Sequence, residues 1–330
     1  MRILVTGGAG YIGSHMTRLL VKAGHTPVVL DSLEFGHRQA LPSSVKLYVG
    51  NVSDEKILKQ VFQNKIDAVI HFAGYISVPE SVTNPTKYMV NNFLSPIQLL
   101  IALVRYSIKY IIFSSTAAVY GQPETVPIPE SHPKNPTSPY GLSKLCFEQV
   151  LGYYDRQFDL KSISLRYFNA CGANPNGRFG EDHSPEGHII PNAIKAAINH
   201  TPFTLFGTDF PTPDGTCIRD YIHIDDLCSA HLLALDALKN GHKTGVFNAG
   251  TGTGHSNQEI IKVIKKVAGD FPVKLAPRRP GDPAKLVADS TRLQKELGWK
   301  PRSSDISTII KSAFKWHSSH PKGYSDRSFA

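Results

Sequence analysis

Tyr140 and Lys144 stand four residues apart in the run YGLSK, directly after Pro136-Thr137-Ser138-Pro139. If Ser138 or Pro139 opens a helix, the two side chains stack on one face, about 5–6 Å apart at Cβ. A tyrosine ordinarily titrates near pH 10. To act as a general base near neutrality its pKa must fall by roughly 3 units, worth about 4 kcal/mol. An ammonium about 6 Å away, at an effective dielectric near 20, supplies under about 3 kcal/mol. Lys144 alone falls short, so the pair calls for a second positive charge beside the phenol.

The N-terminus offers a source for that charge. TGGAGYIG puts Gly7, Gly10 and Gly13, with Tyr11 and Ile12 between them, at the junction of a strand-like run and an amphipathic one. Gly7 allows a tight turn, Gly10 lets the backbone approach a pyrophosphate, and Gly13 permits close helix–strand packing. Asp31 follows about 20 residues later, where a carboxylate accepts hydrogen bonds from an adenosine ribose and repels a 2′-phosphate. The nearest base, Arg38, lies well down the loop. The pattern selects NAD over NADP, and the positive nicotinamide of NAD⁺ completes the charge that Tyr140 needs.

Composition narrows the remaining classes. The chain has 330 residues, 41% hydrophobic and 19% charged, enough for a large core and a smaller companion domain. Met1 is followed almost at once by the strand-like Arg2-Ile3-Leu4-Val5-Thr6, so we expect no signal or transit peptide, no membrane span and a cytoplasmic protein. The four cysteines (146, 171, 217 and 228) lack CxxC spacing, and the fourteen histidines form no HExxH, so no metal site is expected. The net charge of +9 comes from dispersed Lys and Arg, which suits a small anionic ligand and argues against nucleic acid.

To position these residues the chain must alternate strands and helices. Apolar runs at Ile3–Thr6, Pro27–Asp31, Val45–Val49, Ala68–Phe72, Tyr110–Ser114 and Ser162–Tyr167 alternate with amphipathic stretches at Tyr11–Ala23, Glu55–Phe62, Tyr88–Tyr106 and Tyr140–Gln157. This rhythm predicts an α/β protein with a doubly wound parallel Rossmann sheet over residues 1–168. After Asn169 the texture turns to loops rich in Gly, Pro and Asp, read as a smaller, discontinuous mixed α/β substrate-binding domain over 169–330. Residues 225–250 read as a return to the first domain, with a helix at Asp225–Leu238 and a short strand ending at Gly250. The polar tail from about Lys322 is expected to fray.

The constellation TGxxGxxG, HFAG (71–74), SSTAAVYG (114–121) and YxxxK resembles the extended short-chain dehydrogenase/reductase family. RYFNACGANPNG (166–177), GEDH (180–183), DGTCIRDYIHIDDL (214–227) and APRRPGD (276–282) resemble its UDP-galactose/UDP-glucose 4-epimerases. The resemblance covers nearly the whole chain. It implies that Thr116 hydrogen-bonds the sugar hydroxyl that Tyr140 deprotonates, and that a 4-keto sugar turns over before its hydrogen returns on the other face. It also implies cofactor contacts at Asn51, Val52, Phe72, Ala73, Gly74, Asn92 and Phe168, besides Tyr140, Lys144 and the glycine turn. The implied UDP-sugar contacts are Asn169, His188, Thr204, Leu205, Phe206, Arg219, Arg279, Asp282 and Leu286. A homodimer packed through helices such as Asn92–Tyr106 and Tyr140–Gln157 follows by the same resemblance.

Related 4,6-dehydratases carry Asp-Glu after the Ser or Thr, whereas this chain has Ala117 and Ala118, which cannot exchange protons. A relative acting on UDP-N-acetylglucosamine or UDP-glucuronate remains an alternative, as does a non-catalytic NAD-sensing protein. Two positions depart from the family pattern. Asn51 replaces a common Asp, and Ile76 stands where some members have Lys. In the family the position of Leu286 governs by its size whether an N-acetyl group fits beside the sugar. An intermediate Leu implies slow conversion of UDP-N-acetylglucosamine.

Overall fold

Short runs of apolar residues pair side by side into a seven-stranded parallel sheet, described in a computed structural model that covers residues 1–279 and 281–326. The strands are β1 (Arg2–Thr6), β2 (Thr26–Asp31), β3 (Lys46–Val49), β4 (Ala68–His71), β5 (Tyr110–Thr116) and β6 (Lys161–Tyr167), with a later strand, Gly245–Ala249, at the edge beside β6. Outward from that edge the order is Gly245–Ala249, β6, β5, β4, β1, β2, β3, so the winding reverses between β1 and β4. A crevice at such a reversal is where doubly wound sheets bind ligands.

The strands are apolar on both faces because both faces are covered. Ile3, Val5 and Ile70 pack toward one core and Leu4, Val69 and Phe113 toward the other. The first layer includes α1 (Tyr11–Lys22). The second includes α2 (Glu55–Phe62), α5 (Ser95–Arg105) and α6 (Pro139–Phe158); the short helices α3 (Val78–Thr83) and α4 (Pro85–Met89) precede α5.

The expected continuous helix over Tyr88–Tyr106 is interrupted. A π-helical turn, Val90–Leu94, separates α4 from α5. Pro96 explains it: it has no N–H to give to the carbonyl of Asn92, and its ring crowds that carbonyl. Asn92 lies inside the turn, a common place for functional side chains.

The remaining strands are β7 (Asn169–Cys171), β8 (Phe203–Phe206), β9 (Ile218–His223), β10 (the edge strand Gly245–Ala249), β11 (Gly254–Ser256), β12 (Val273–Ala276) and β13 (Lys285–Leu286). The helices that follow α6 are α7 (Ile189–Asn199), α8 (Ile224–Lys239), α9 (Asn257–Ala268), α10 (Thr291–Leu297) and α11 (Ile306–Ser319). α8 packs beside α1 in the first layer, while α7, α9 and α11 enclose a separate core containing Ile190, Ile194, Ile260, Ile264 and Ile310.

The tail does not fray where expected. Tyr324 is buried, stacks on His37 at 4.7 Å and contacts Trp316 at 4.8 Å. Asp326 accepts from the Gln39 backbone at 2.8 Å. These contacts strap residues 320–326 over the loop that follows Asp31, a long-range closure invisible in local polarity. Residues 327–330 lie outside the described part.

Candidate active site

Gly7 has φ +68, and a Cβ there would lie 2.6 Å from Ala73 N. A Cβ on Gly13 would fall 2.1 Å from Gly7 O, so α1 can dock on the turn only without a side chain. At Gly10 the nearest obstacle is Gly7 O at 3.4 Å, and no side chain caps the helix N-terminus there. Its backbone N–H groups are thus available to an anion. Asp31 is lodged below: Oδ2 accepts from Ala9 N at 2.9 Å and Oδ1 from Leu33 N at 2.8 Å. Burial pushes its carboxyl up, and those backbone donors pull against the shift. Glycine cradle, open helix terminus and buried carboxylate together fit a dinucleotide.

Phe72 and Ala73 turn away from β4 by donating to Thr6 O at 2.9 and 3.1 Å. Asn92 fixes the next residues, accepting from Tyr75 N at 2.8 Å and donating to Tyr75 O at 2.9 Å. Its amide is thereby committed to shaping the loop. Gly74 leaves room for both neighbours: a Cβ there would meet Asn92 Oδ1 at 3.2 Å and Lys144 Nζ at 3.4 Å.

Ser138 caps α6, its Oγ accepting from Gly141 N at 3.2 Å, and Pro139 occupies the first turn, as YGLSK and its preceding prolines predict. Lys144 is 3% exposed and donates from Nζ to Ser114 O at 2.9 Å. Burial lowers its ammonium to about 8, with Glu148 pulling the other way. Burial also raises Tyr140, and a hydrogen bond with Thr116 offsets part of the rise. This corrects the simple ion-pair expectation. Without cofactor the lysine charge is committed to Ser114 O, and Tyr140 is a neutral phenol held above its ordinary value. Thr116 also caps the turn Ala117–Val119, accepting from Ala118 N at 3.1 Å.

Beneath these groups lies a buried network that the sequence did not reveal. Arg166 pairs with Glu148 through two bonds, Nε to Oε1 at 3.0 Å and Nη2 to Oε2 at 2.6 Å. Ser115 also bonds Glu148; Arg166 donates to the Tyr120 hydroxyl at 2.8 Å, which donates to Asn248 Oδ1 at 2.7 Å. One chain of polar contacts thus ties β5, α6, β6 and β10 together under the Thr116 turn.

Facing this wall are the residues of the second region. Leu286 pairs in register with Arg219 and packs beside Ala117, Val119, Tyr120, Ile128 and Phe168, so it abuts the turn that carries Thr116. Arg219 Nη1 donates to Ile218 O at 2.9 Å, and its Nη2 lies 4.0 Å from Asp282 Oδ1. Arg279 covers the Phe206 ring at 4.4 Å. Asn169 opens β7, paired with Tyr221.

Residues 3–250 match the NAD dependent epimerase/dehydratase family. A UDP-glucose 4-epimerase of Lactobacillus helveticus is 49% identical over 99% of this chain and 100% of its own length. A crystal structure of a UDP-glucose 4-epimerase superposes with TM-score 0.96 at 43% identity, covering 99% and 100% of the two chains. A Bifidobacterium longum UDP-glucose 4-epimerase, crystallised with NAD⁺ and UDP, gives TM-score 0.91 at 39% identity over 98% and 100%. The chain belongs to the NAD dependent epimerase/dehydratase family.

Within this family reading, some expected contacts change character. Val52 and Leu205 are buried in hydrophobic cores, which leaves only their backbone for a ligand, whereas Thr204 and Phe206 occupy the opposite face of β8. Asn51 is exposed and accepts from Ser53 N at 2.9 Å in a local turn. Tyr11 donates its hydroxyl to Gly172 O at 2.6 Å, so a cofactor would meet its backbone. Ile12 also lies in that turn, at the start of α1. His188 faces Glu181, with His183 and Glu186 beside it. Against the desolvation that would lower it, Glu181 and Glu186 hold the His183 imidazole up at about 10. These four residues, all within EDHSPEGH, went unread as a group because no familiar metal motif has their spacing.

Proposed function

We propose that the chain is an NAD-dependent UDP-glucose 4-epimerase that interconverts UDP-galactose and UDP-glucose. The observation that carries this reading is buried Lys144, held to Ser114 O one helical turn beyond Tyr140, together with Thr116 followed by Ala117 and Ala118 where elimination chemistry needs acids.

Bound NAD supplies reversible hydride acceptance at the sugar's C4. Thr116 holds the C4 hydroxyl and Tyr140 removes its proton, while Lys144, fixed by Ser114 O, contributes positive charge that favours the phenolate. Arg219 and Arg279 hold the diphosphate by charge-assisted bonds, and Phe206 offers a face to the base. Those remote contacts keep the nucleotide in place while the 4-keto sugar presents its other face. As the same hydrogen returns to C4 on that face, Tyr140 gives the proton back to the C4 oxygen, leaving the inverted alcohol. With UDP-galactose supplied, UDP-glucose should accumulate far beyond the enzyme concentration with no net cofactor reduction. Stoichiometric reduction, or loss of water from the sugar, would refute the reading.

The reading extends to a homodimer. Val90, Leu94 and Ile101 form an exposed stripe along α5 and the turn before it, and Leu142 and Tyr153 lie exposed on α6. A stripe of this kind on a soluble monomer is unusual and suits a helix-to-helix interface. Sedimentation of wild type and Leu94→Glu should give a dimer and a monomer. Among the described residues no helix is long and apolar enough to cross a membrane, which is compatible with the cytoplasmic location proposed.

A further inference from the structure

We propose that Glu181, His183, Glu186 and His188 form a binding site for one divalent first-row cation of the Zn²⁺ type. Their ligand atoms all lie within 4.8 Å of one another. Both histidines direct Nδ1 at the same two carboxylates. His183 Nδ1 is 3.2 Å from Glu181 Oε1 and 3.8 Å from Glu186 Oε1; His188 Nδ1 is 2.5 and 3.6 Å from those oxygens. Four ligands at about 2.0–2.1 Å around a tetrahedral cation stand about 3.4 Å apart, and the four measured edges bracket that value.

A second observation points the same way. His183 Nδ1 and Glu186 Oε2 are buried without a hydrogen-bond partner among the described residues. The side chains of Glu181 and Glu186 are only 4% and 6% exposed. Among the described residues neither carboxylate pairs with a lysine or arginine. Two buried carboxylates demand compensation. A dication held by two carboxylates and two neutral imidazoles leaves the site without net charge, and mixed nitrogen and oxygen donors suit zinc, cobalt or manganese.

The supporting contacts resemble an outer shell. The backbone of His188 donates to Glu186 Oε1 at 3.0 Å, and Trp316 Nε1 donates to Glu181 O at 2.9 Å. A cation there would cross-link the long loop between β7 and α7 to itself, beside the Tyr11 ring, which meets His183 edge-on at 6.2 Å. The site would be structural and separate from the redox chemistry.

The test is calorimetric titration of Zn²⁺ into the full chain after chelator treatment and dialysis. One saturable equivalent is expected in wild type, with affinity weakened at least about tenfold in both Glu186→Gln and His183→Gln. Replacement of Zn²⁺ by Co²⁺ should give the intense visible bands of a four-coordinate site, and this readout needs only wild type should a variant fail to fold. No saturable equivalent, unchanged affinity in the folded variants, or a hexa-aquo cobalt spectrum would overturn the proposal and leave the quartet as an ion-pair network of protonated histidines.

Discussion

The two walls of the crevice are built differently. On the sheet side most of the reactive groups are held before any ligand arrives: Lys144 to Ser114 O, Asp31 to two backbone amides, Asn92 to Tyr75, Thr116 to Ala118 N. On the opposite wall Thr204, Arg279 and the carboxylate of Asp282 face solvent, and Arg219 only approaches Asp282. Chemistry sits on rigid strand ends and helix faces, while recognition is left to short strands and loops. The difference implies that damage on the first wall should appear in kcat and damage on the second in KM.

Tyr140→Phe should sharpen the contrast most. It removes the proton-transfer group and leaves the ring in place, so kcat should fall by about 10²–10⁴-fold while the melting temperature holds. A comparable loss appearing only in KM would break the assignment. Lys144→Met should follow, with a pH signature. Burial places the wild-type ammonium near 8 instead of its ordinary higher value, so its charge is present below about pH 8 and lost above it. The wild-type rate should therefore decline above about pH 8, and the variant's pH–rate profile should lack that alkaline limb.

On the other wall, Arg279→Ala should raise KM for UDP-galactose about 10–100-fold, the worth of a charge-assisted bond, with kcat changed far less. A pure kcat effect would mean that the walls are not divided as described. The smallest effect is selective. Leu286→Tyr should abolish slow conversion of UDP-N-acetylglucosamine and spare UDP-galactose, and Leu286→Ser should improve the former. An unchanged ratio of the two rates would place Leu286 outside the sugar pocket.

The sheet wall was far more legible in the sequence. Period, glycine spacing and the Ser138-Pro139 start each encode local geometry, so β1 to β6, α1, α2 and α6 could be placed from neighbours in the chain. Pro96 carried the warning of the π turn, but long apolar periodicity overrode it. Glu148–Arg166–Tyr120–Asn248 joins residues a hundred positions apart, and Tyr324 is buried only because Trp316 and His37 meet it. Local pattern carries no trace of such closures. On the second wall, β8 alternates with period two, which should have set Leu205 apart from Thr204 and Phe206. That strand's inward face is decided by α7 and α9, which the sequence alone did not position.

The central claim is that the hydrogen leaving C4 comes back to C4 without meeting water, while only the hydroxyl proton passes through Tyr140. Conversion of UDP-galactose in heavy water, followed by NMR of the recovered UDP-glucose, tests it directly. The account gives product with protium fully retained at C4 and at C5. Deuterium at either carbon would show a carbanion route open to solvent and would contradict it.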